Sequence, residues 1–342
     1  MILVDGRCQS DPAMAPFGAA PQRLQRARGP DLRIALVNNM PDTALIAAER
    51  QFGGLLDAAR GHTQVSLELY ALSSVPRAHE VRAAMAPRYG DLRDLMAARP
   101  DVLIVTGAEP RAARLTDEPY WSEMSMLVAW VRSGGVASAL YSCLAAHAAV
   151  EITDGVRRRA LPGKLTGVYA AQIVRTHELT AGLAAPLTPH SRYNGLDERE
   201  LEASGYKVLT RSVEAGVDSF VRDGAVLEAF WQGHPEYEAD TLAREIRRDL
   251  QRFASGAATS APALPENYFL PKAKAQLERY CAQVARRGRL WEEMPALERI
   301  APKAAVWAES SLALMRTFLA ASVRSKHIRD AEMSAGVSTI SA

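Results

Sequence analysis

From Leu32 onward, short apolar runs alternate with longer stretches in which apolar residues recur at helical spacing. Leu32-Arg33-Ile34-Ala35-Leu36-Val37 reads as a strand, ended by the turn-rich cluster Asn38-Asn39-Met40-Pro41-Asp42. Residues 43–60 set Leu45, Phe52, Leu55 and Leu56 among charged positions, the pattern of an amphipathic helix. Residues 65–72 predict the next strand, and an alanine-rich helical connection leads to Asp101-Val102-Leu103-Ile104-Val105-Thr106-Gly107. The unbroken apolar character of that run suits a strand covered on both faces. A helix over 120–132 follows, and Gly134-Gly135 then introduce a run over 136–142 that meets Cys143 and the helix-favouring Leu144-Ala145-Ala146-His147-Ala148-Ala149. Further strands are predicted over 206–212 and 226–231, and a charged helix over 240–253.

This alternation implies parallel strands with crossover helices, an α/β fold with a three-layer, doubly wound, mostly parallel sheet that gathers ligands at the carboxyl ends of its strands. Asn38 to Pro41, Gly107 to Arg111, and Cys143 all fall at those ends. Residues 1–31 show no sustained period and read as a loose leader. The main domain is expected over 32–256. A Ser/Ala/Pro linker and two helical patterns, over 272–287 and 304–323, form a C-terminal helical extension (257–342) that packs on the domain or on a second subunit. Its basic clusters, at 286–289 and 324–329, read as solvated helix faces.

Composition narrows the picture mostly by exclusion. The 41 Lys+Arg nearly balance the 39 Asp+Glu, for a net charge of +2 that predicts no nucleic-acid partner. No apolar run approaches the ~18 residues of a membrane span, and no secretory signal stands at the start. Cys8, Cys143 and Cys281 lie far apart without metal-ligand spacing, which fits reduced thiols in a cytoplasm and gives no metal site.

Cys143 is the leading candidate for chemistry because it stands where an apolar strand meets a helix, on a sharp turn at the rim of the sheet. A helix N-terminus favours a thiolate through its dipole and free N–H groups, and the N–H of Leu144 would point toward an attacked carbonyl as an oxyanion hole. The second signal is Gly233-His234-Pro235-Glu236-Tyr237, directly after an apolar run. His234 can deprotonate Cys143 and Glu236 can orient the imidazole, a Cys-His-Glu triad. His147, one helical turn after Cys143, competes as the base. His190 falls in what reads as a polar loop.

Taken in order, Asn39-Met40-Pro41, Glu49-Arg50-Gln51, Thr106-Gly107-Ala108, Tyr120-Trp121, the Cys143 block, Gly163-Lys164-Leu165-Thr166-Gly167-Val168, Pro189-His190-Ser191-Arg192, Glu214-Ala215-Gly216-Val217, Gly233 to Tyr237 and Arg248-Asp249 resemble the homoserine O-acyltransferases of methionine synthesis. Those enzymes have a class I glutamine amidotransferase-like fold. The resemblance covers residues 32–253. It implies that Cys143 takes an acyl group from acyl-CoA as a thioester and passes it to an amino-acid hydroxyl, with His234 as base and Glu236 as its partner. It also implies that Lys164, Ser191 and Arg248 contact substrate. Where the family commonly has glycine and glutamine after the cysteine, this chain has Leu144-Ala145-Ala146-His147, so the pocket beside the thiol differs. In the loop that helps the family select its acyl donor, Arg111 can pair with the free carboxylate of a succinyl group, which favours succinyl-CoA over acetyl-CoA. The acceptor is L-homoserine or, through the altered pocket, L-serine. No cofactor beyond the acyl-CoA co-substrate is expected, and a homodimer is the default assembly. A glutamine amidotransferase-like amidohydrolase using the same triad is the alternative reading.

Overall fold

The computed structural model describes residues 30–287 and 293–340, together with two short strands near the start, β1 (Leu3–Val4) and β2 (Arg7–Cys8). Period-two burial in the strands sets the layering. In β3 (Leu32–Val37), Leu32, Ile34 and Leu36 join one apolar cluster while Ala35 and Val37 join another. The same division runs through β6 (Val102–Val105), with Val102 and Ile104 on one face and Leu103 and Val105 on the other. β7 (Ser138–Ser142) likewise splits Leu140 from Ala139 and Tyr141, and β13 (Leu227–Trp231) splits Ala229 and Trp231 from Phe230. A strand with two apolar faces needs helices on both sides, and both layers are present.

One face is covered by α3 (Leu92–Ala98), α4 (Trp121–Trp130) and α5 (Leu144–Asp154), through Leu95, Met124, Leu127, Val128, Ala145 and Ala149. The other is covered by α1 (Leu45–Ala59) and α10 (Ala308–Ile340), through Phe52, Leu56, Met315, Phe318 and Leu319. With β4 (Val65–Tyr70), the central strands run parallel in the order β4-β3-β6-β7-β13. Antiparallel β12 (Gly216–Arg222), β11 (Lys207–Ser212) and β9 (Gln172–Ile173) extend one edge. The order reverses between β3 and β6, and this opens a crevice at their carboxyl ends. α2 (His79–Met85), β5 (Tyr89–Gly90) and α6 (Glu198–Ala203) complete the connections.

Three features differ from expectation. β8 (Arg159–Ala170) and β10 (Leu187–Gly195) pair antiparallel as a separate two-stranded sheet, so His190 stands in a strand and not in a loop. β1 pairs with β4, and β2 with β1, which replaces part of the expected loose leader with two short edge strands; residues 9–29 lie outside the described residues. Of the two placements considered for the helical extension, packing on the domain is the one seen. α10 is pinned beyond its midpoint by the buried carboxylate of Asp101, which accepts from Lys326 Nζ at 2.9 Å and from Arg329 at 2.8 Å. Part of the basic cluster at 324–329 therefore holds an ion pair that a solvated face would not need. α7 (Thr241–Ala254) and α8 (Pro271–Arg287) form a third apolar cluster with Trp307, whose Nε1 donates to Tyr237 O at 2.9 Å; the short α9 (Leu297–Ile300) caps it.

Candidate active site

β7 and β13 are parallel neighbours in a register that sets Ser142 opposite Trp231, so both chains leave the sheet at the same edge. Cys143 follows immediately, and its N–H donates to Trp231 O at 2.7 Å. Its backbone (φ 51°, ψ −113°) lies on the positive-φ side that a residue with a Cβ rarely adopts. Such strain persists only where the surroundings impose it, and here the strand behind and the helix ahead both do. α5 begins at Leu144, and the first N–H groups of a helix have no acceptor within it. Gly107, at the end of β6, approaches this helix start so closely that a Cβ on it would lie 3.1 Å from Leu144 N. Glycine therefore keeps open the space in front of the Leu144 amide.

The other strand delivers the imidazole of His234. His234 is buried, with its N–H bonded to Pro189 O at 2.7 Å and its ring stacked on Tyr237 at 4.3 Å between centroids. Nδ1 meets Glu236 Oε1 at 2.7 Å, and the imidazole also hydrogen-bonds the Cys143 side chain. Burial opposes a charge on this ring, but Glu236 and the Cys143 sulfur outweigh it and hold the His234 pKa well above its usual value. Cys143, His234 and Glu236 thus form one hydrogen-bonded chain. Glu236 Oε2 is buried with no partner among the described residues.

His147 is not beside the thiol as a competing base. Its ring is turned into the core, where Nε2 lies 2.9 Å from Gln232 Oε1, and Gln232 Nε2 in turn donates to Val217 O. Burial brings the His147 pKa down to about 3, so the neutral ring donates from Nε2. His190 is also buried, 3.1 Å from Asp218 Oδ1, and accepts from Arg192 Nε at 3.3 Å. Burial lowers its pKa as well, against the pull of Asp218. The buried Arg192 guanidinium further binds Asn194 O and Ala215 O, and its charge interacts with Cys143.

Lys164, Ser191 and Arg248 do come together, but around two acids of α7. Lys164 Nζ bonds Asp249 Oδ2 at 2.7 Å and lies 3.6 Å from Glu245 Oε2; Ser191 Oγ bonds the same Glu245 oxygen, and Tyr237 OH bonds Glu245 Oε1 at 2.6 Å. Burial would raise the Asp249 carboxyl, yet Lys164 and Arg248 hold it below the usual value. Arg248 touches Asp249 through Nε at 3.2 Å while half of its side chain stays exposed, and Glu109 adds to its electrostatic surroundings. Lys164 is therefore a nearly buried ion-pair partner, and Arg248 is the more open cation. Sequence reasoning passed over Glu245. The signal for it was spacing, since it sits three and four residues before Arg248 and Asp249 on one helical face. Since Tyr237 links Glu245 to the stacked His234, this acid–base cluster borders the thiol's partner directly. Arg111 lies in the exposed loop after β6, at the same carboxyl edge, and its guanidinium has no hydrogen-bond partner among the described residues.

A family model for homoserine O-succinyltransferase matches residues 15–320. A homoserine O-succinyltransferase from Methylorubrum extorquens is 45% identical over 306 residues, spanning 88% of this chain and 89% of that protein. One from Rhodopseudomonas palustris is 47% identical over 267 residues, spanning 78% and 76%. Among solved structures, a glutamine amidotransferase from Thermotoga maritima is similar at 13% identity and a TM-score of 0.49, over 86% of this chain and 98% of that one. With a match over most of its length and relatives well above 30% identity, this chain belongs to the homoserine O-succinyltransferase family.

Proposed function

We propose that the enzyme transfers a succinyl group from succinyl-CoA to the hydroxyl of L-homoserine, a step of methionine synthesis, through a thioester on Cys143. The observation that carries this reading is the continuous hydrogen-bonded chain from the strained Cys143 through His234 to Glu236. In the first half-reaction the Cys143 sulfur attacks the thioester carbonyl, and the developing oxyanion faces the Leu144 N–H in the space that Gly107 leaves open. The intermediate collapses as the carbon–sulfur bond to CoA breaks, and the His234 imidazolium gives its proton to the departing thiolate. In the second, the now neutral His234 takes the proton of the homoserine hydroxyl as that oxygen attacks the acyl-enzyme. O-succinylhomoserine leaves and the Cys143–His234 pair is restored. Glu236 holds the ring through Nδ1 and balances its charge in both steps.

Arg248, the open cation beside the acidic pair of α7, is assigned to a substrate carboxylate, and Lys164 and Ser191 hold Glu245 and Asp249 in place while lining the acceptor side. Arg111 is assigned to the distal carboxylate of the succinyl group. The reading includes a cytoplasmic location, where acyl-CoA and homoserine are made, and a homodimer, which sedimentation measures directly. No helix among the described residues is long and apolar enough to cross a membrane. Family membership sets the amidohydrolase alternative aside.

Crossing succinyl-CoA and acetyl-CoA with homoserine and serine in initial-rate measurements tests the reading. Succinyl-CoA with homoserine should be the preferred pair by kcat/KM, with parallel double-reciprocal lines. Intersecting lines, the mark of a ternary complex, or a preference for acetyl-CoA would overturn it.

A further inference from the structure

The loop that carries Arg111 is held from beneath by a residue that no other part of the mechanism uses. Glu118 is a buried carboxylate, 4% exposed, in the segment leading into α4. Its Oε1 accepts two successive backbone N–H groups, from Arg111 at 2.6 Å and from Ala112 at 2.7 Å. On the far side of the same bend, Arg158 donates to Ala113 O at 3.3 Å. Three consecutive residues are thus fixed through their backbone by side chains from two other segments, while the Arg111 side chain itself stays exposed. A buried carboxylate is costly unless hydrogen bonds satisfy it, and Glu118 Oε2 has no partner among the described residues. The protein keeps this half-satisfied acid in the electrostatic surroundings of the buried Tyr120. The reach of the glutamate side chain is what brings one acceptor oxygen to both amides, and the shorter aspartate would not span that distance.

We propose that Glu118 is a positioning residue for acyl-donor selection: by gripping the N–H groups of Arg111 and Ala112 it fixes the bend from which the Arg111 guanidinium meets the distal carboxylate of the succinyl group. It acts through Arg111 and touches no substrate. The proposal rests on the reading of Arg111 given above, and the experiment separates the two.

KM and kcat for succinyl-CoA and acetyl-CoA are measured for wild type, Arg111→Ala, Glu118→Ala, Glu118→Gln, Glu118→Asp and the Arg111→Ala/Glu118→Ala double variant, with circular dichroism as the folding control. Arg111→Ala should raise the succinyl-CoA KM about tenfold, the scale of one lost charge-assisted contact, and move the acetyl-CoA KM by less than about twofold. Glu118→Ala and the shorter Glu118→Asp should produce the same donor-selective rise, about threefold or more. Glu118→Gln keeps an oxygen acceptor in place and should stay near wild type. In the double variant, loss of Glu118 should add nothing, because its effect runs through Arg111. If Arg111→Ala shifts the donors unequally while Glu118→Ala and Glu118→Asp shift them equally or not at all, the positioning role is wrong and the Arg111 reading stands. If Arg111→Ala itself shows no selectivity, the Arg111 reading fails and this proposal fails with it. Should Glu118→Ala not fold, Glu118→Asp against Glu118→Gln decides alone.

Discussion

At the scale of single residues, the proposed chemistry turns on how one imidazole is held between an acid and a sulfur. Glu236 and Cys143 raise the His234 pKa against the effect of burial, so the ring holds its proton to higher pH than an ordinary histidine. Glu236→Gln removes one of the two groups that stabilise that charge. We expect it to lower kcat/KM by about 10²-fold or more and to move the alkaline limb of the pH–rate profile toward lower pH. His234→Ala should cost at least ~10²-fold at every pH. A Glu236→Gln profile that overlays the wild type would remove Glu236 from the mechanism. The convergence of Cys143, His234 and Glu236 was legible in the sequence because they follow apolar runs whose strands end at one edge of the sheet. The ion pair of Lys164 was not legible. Its partner Asp249 lies 85 residues away, and no local pattern announces a contact made only when β8 is laid against α7.

At the scale of elements, the meeting of β6, β7 and β13 at one edge does the positioning. Gly107 at the end of β6 leaves room above the start of α5 that even a methyl group would fill, since its Cβ would sit 2.9 Å from the Leu144 Cβ and 3.1 Å from the Leu144 N. Gly107→Ala is expected to lower kcat by about 10²-fold, the scale of one lost oxyanion donor, while the protein remains folded by circular dichroism. A normal kcat would show that the oxyanion lies elsewhere. The parallel strands could be read from the chain because each carries a short, mostly apolar run, and in β6, buried on both faces, that run is unbroken. The β8–β10 pair could not. Its second strand, Leu187-Thr188-Pro189-His190-Ser191-Arg192-Tyr193-Asn194-Gly195, has the composition of a turn, and only its pairing with β8 makes it a strand. That pair of strands carries Lys164 and Ser191, which is why the surroundings of Glu245 and Asp249 were the less legible part of the candidate site. The length of α10 was also understated, because residues past 323 are held by Asp101 at the far end of the sheet more than by an apolar stripe of their own.

At the scale of the whole molecule, the buried histidines pull stability in opposite directions with pH. His147, with a folded pKa near 3, and His190, also lowered by burial, refuse a proton that the unfolded chain accepts below about 6.5. Each therefore costs about 1.4 kcal/mol per pH unit as the medium is acidified from there toward its folded value. His234 has the opposite sign. Its raised pKa contributes stability that is fully present below 6.5 and is lost as the pH climbs through its folded value. Among these three groups, stability should peak near pH 6.5 and decline on both sides, which urea unfolding at pH 5, 6.5 and 8 would show. A stability that still rises between pH 6.5 and 5 would contradict the buried, neutral state of His147 and His190. The packing of α10 into the same core as α1 makes this one cooperative response, since the C-terminal helix covers a face of the sheet that carries the site.

The proposed mechanism requires a covalent intermediate on Cys143, which intact-mass spectrometry of the purified enzyme mixed with succinyl-CoA detects. A succinyl adduct is expected that maps to Cys143, is absent in Cys143→Ala, and disappears on addition of L-homoserine as O-succinylhomoserine forms. Turnover without any adduct in rapid-quench samples, or an adduct that persists in Cys143→Ala, would contradict it.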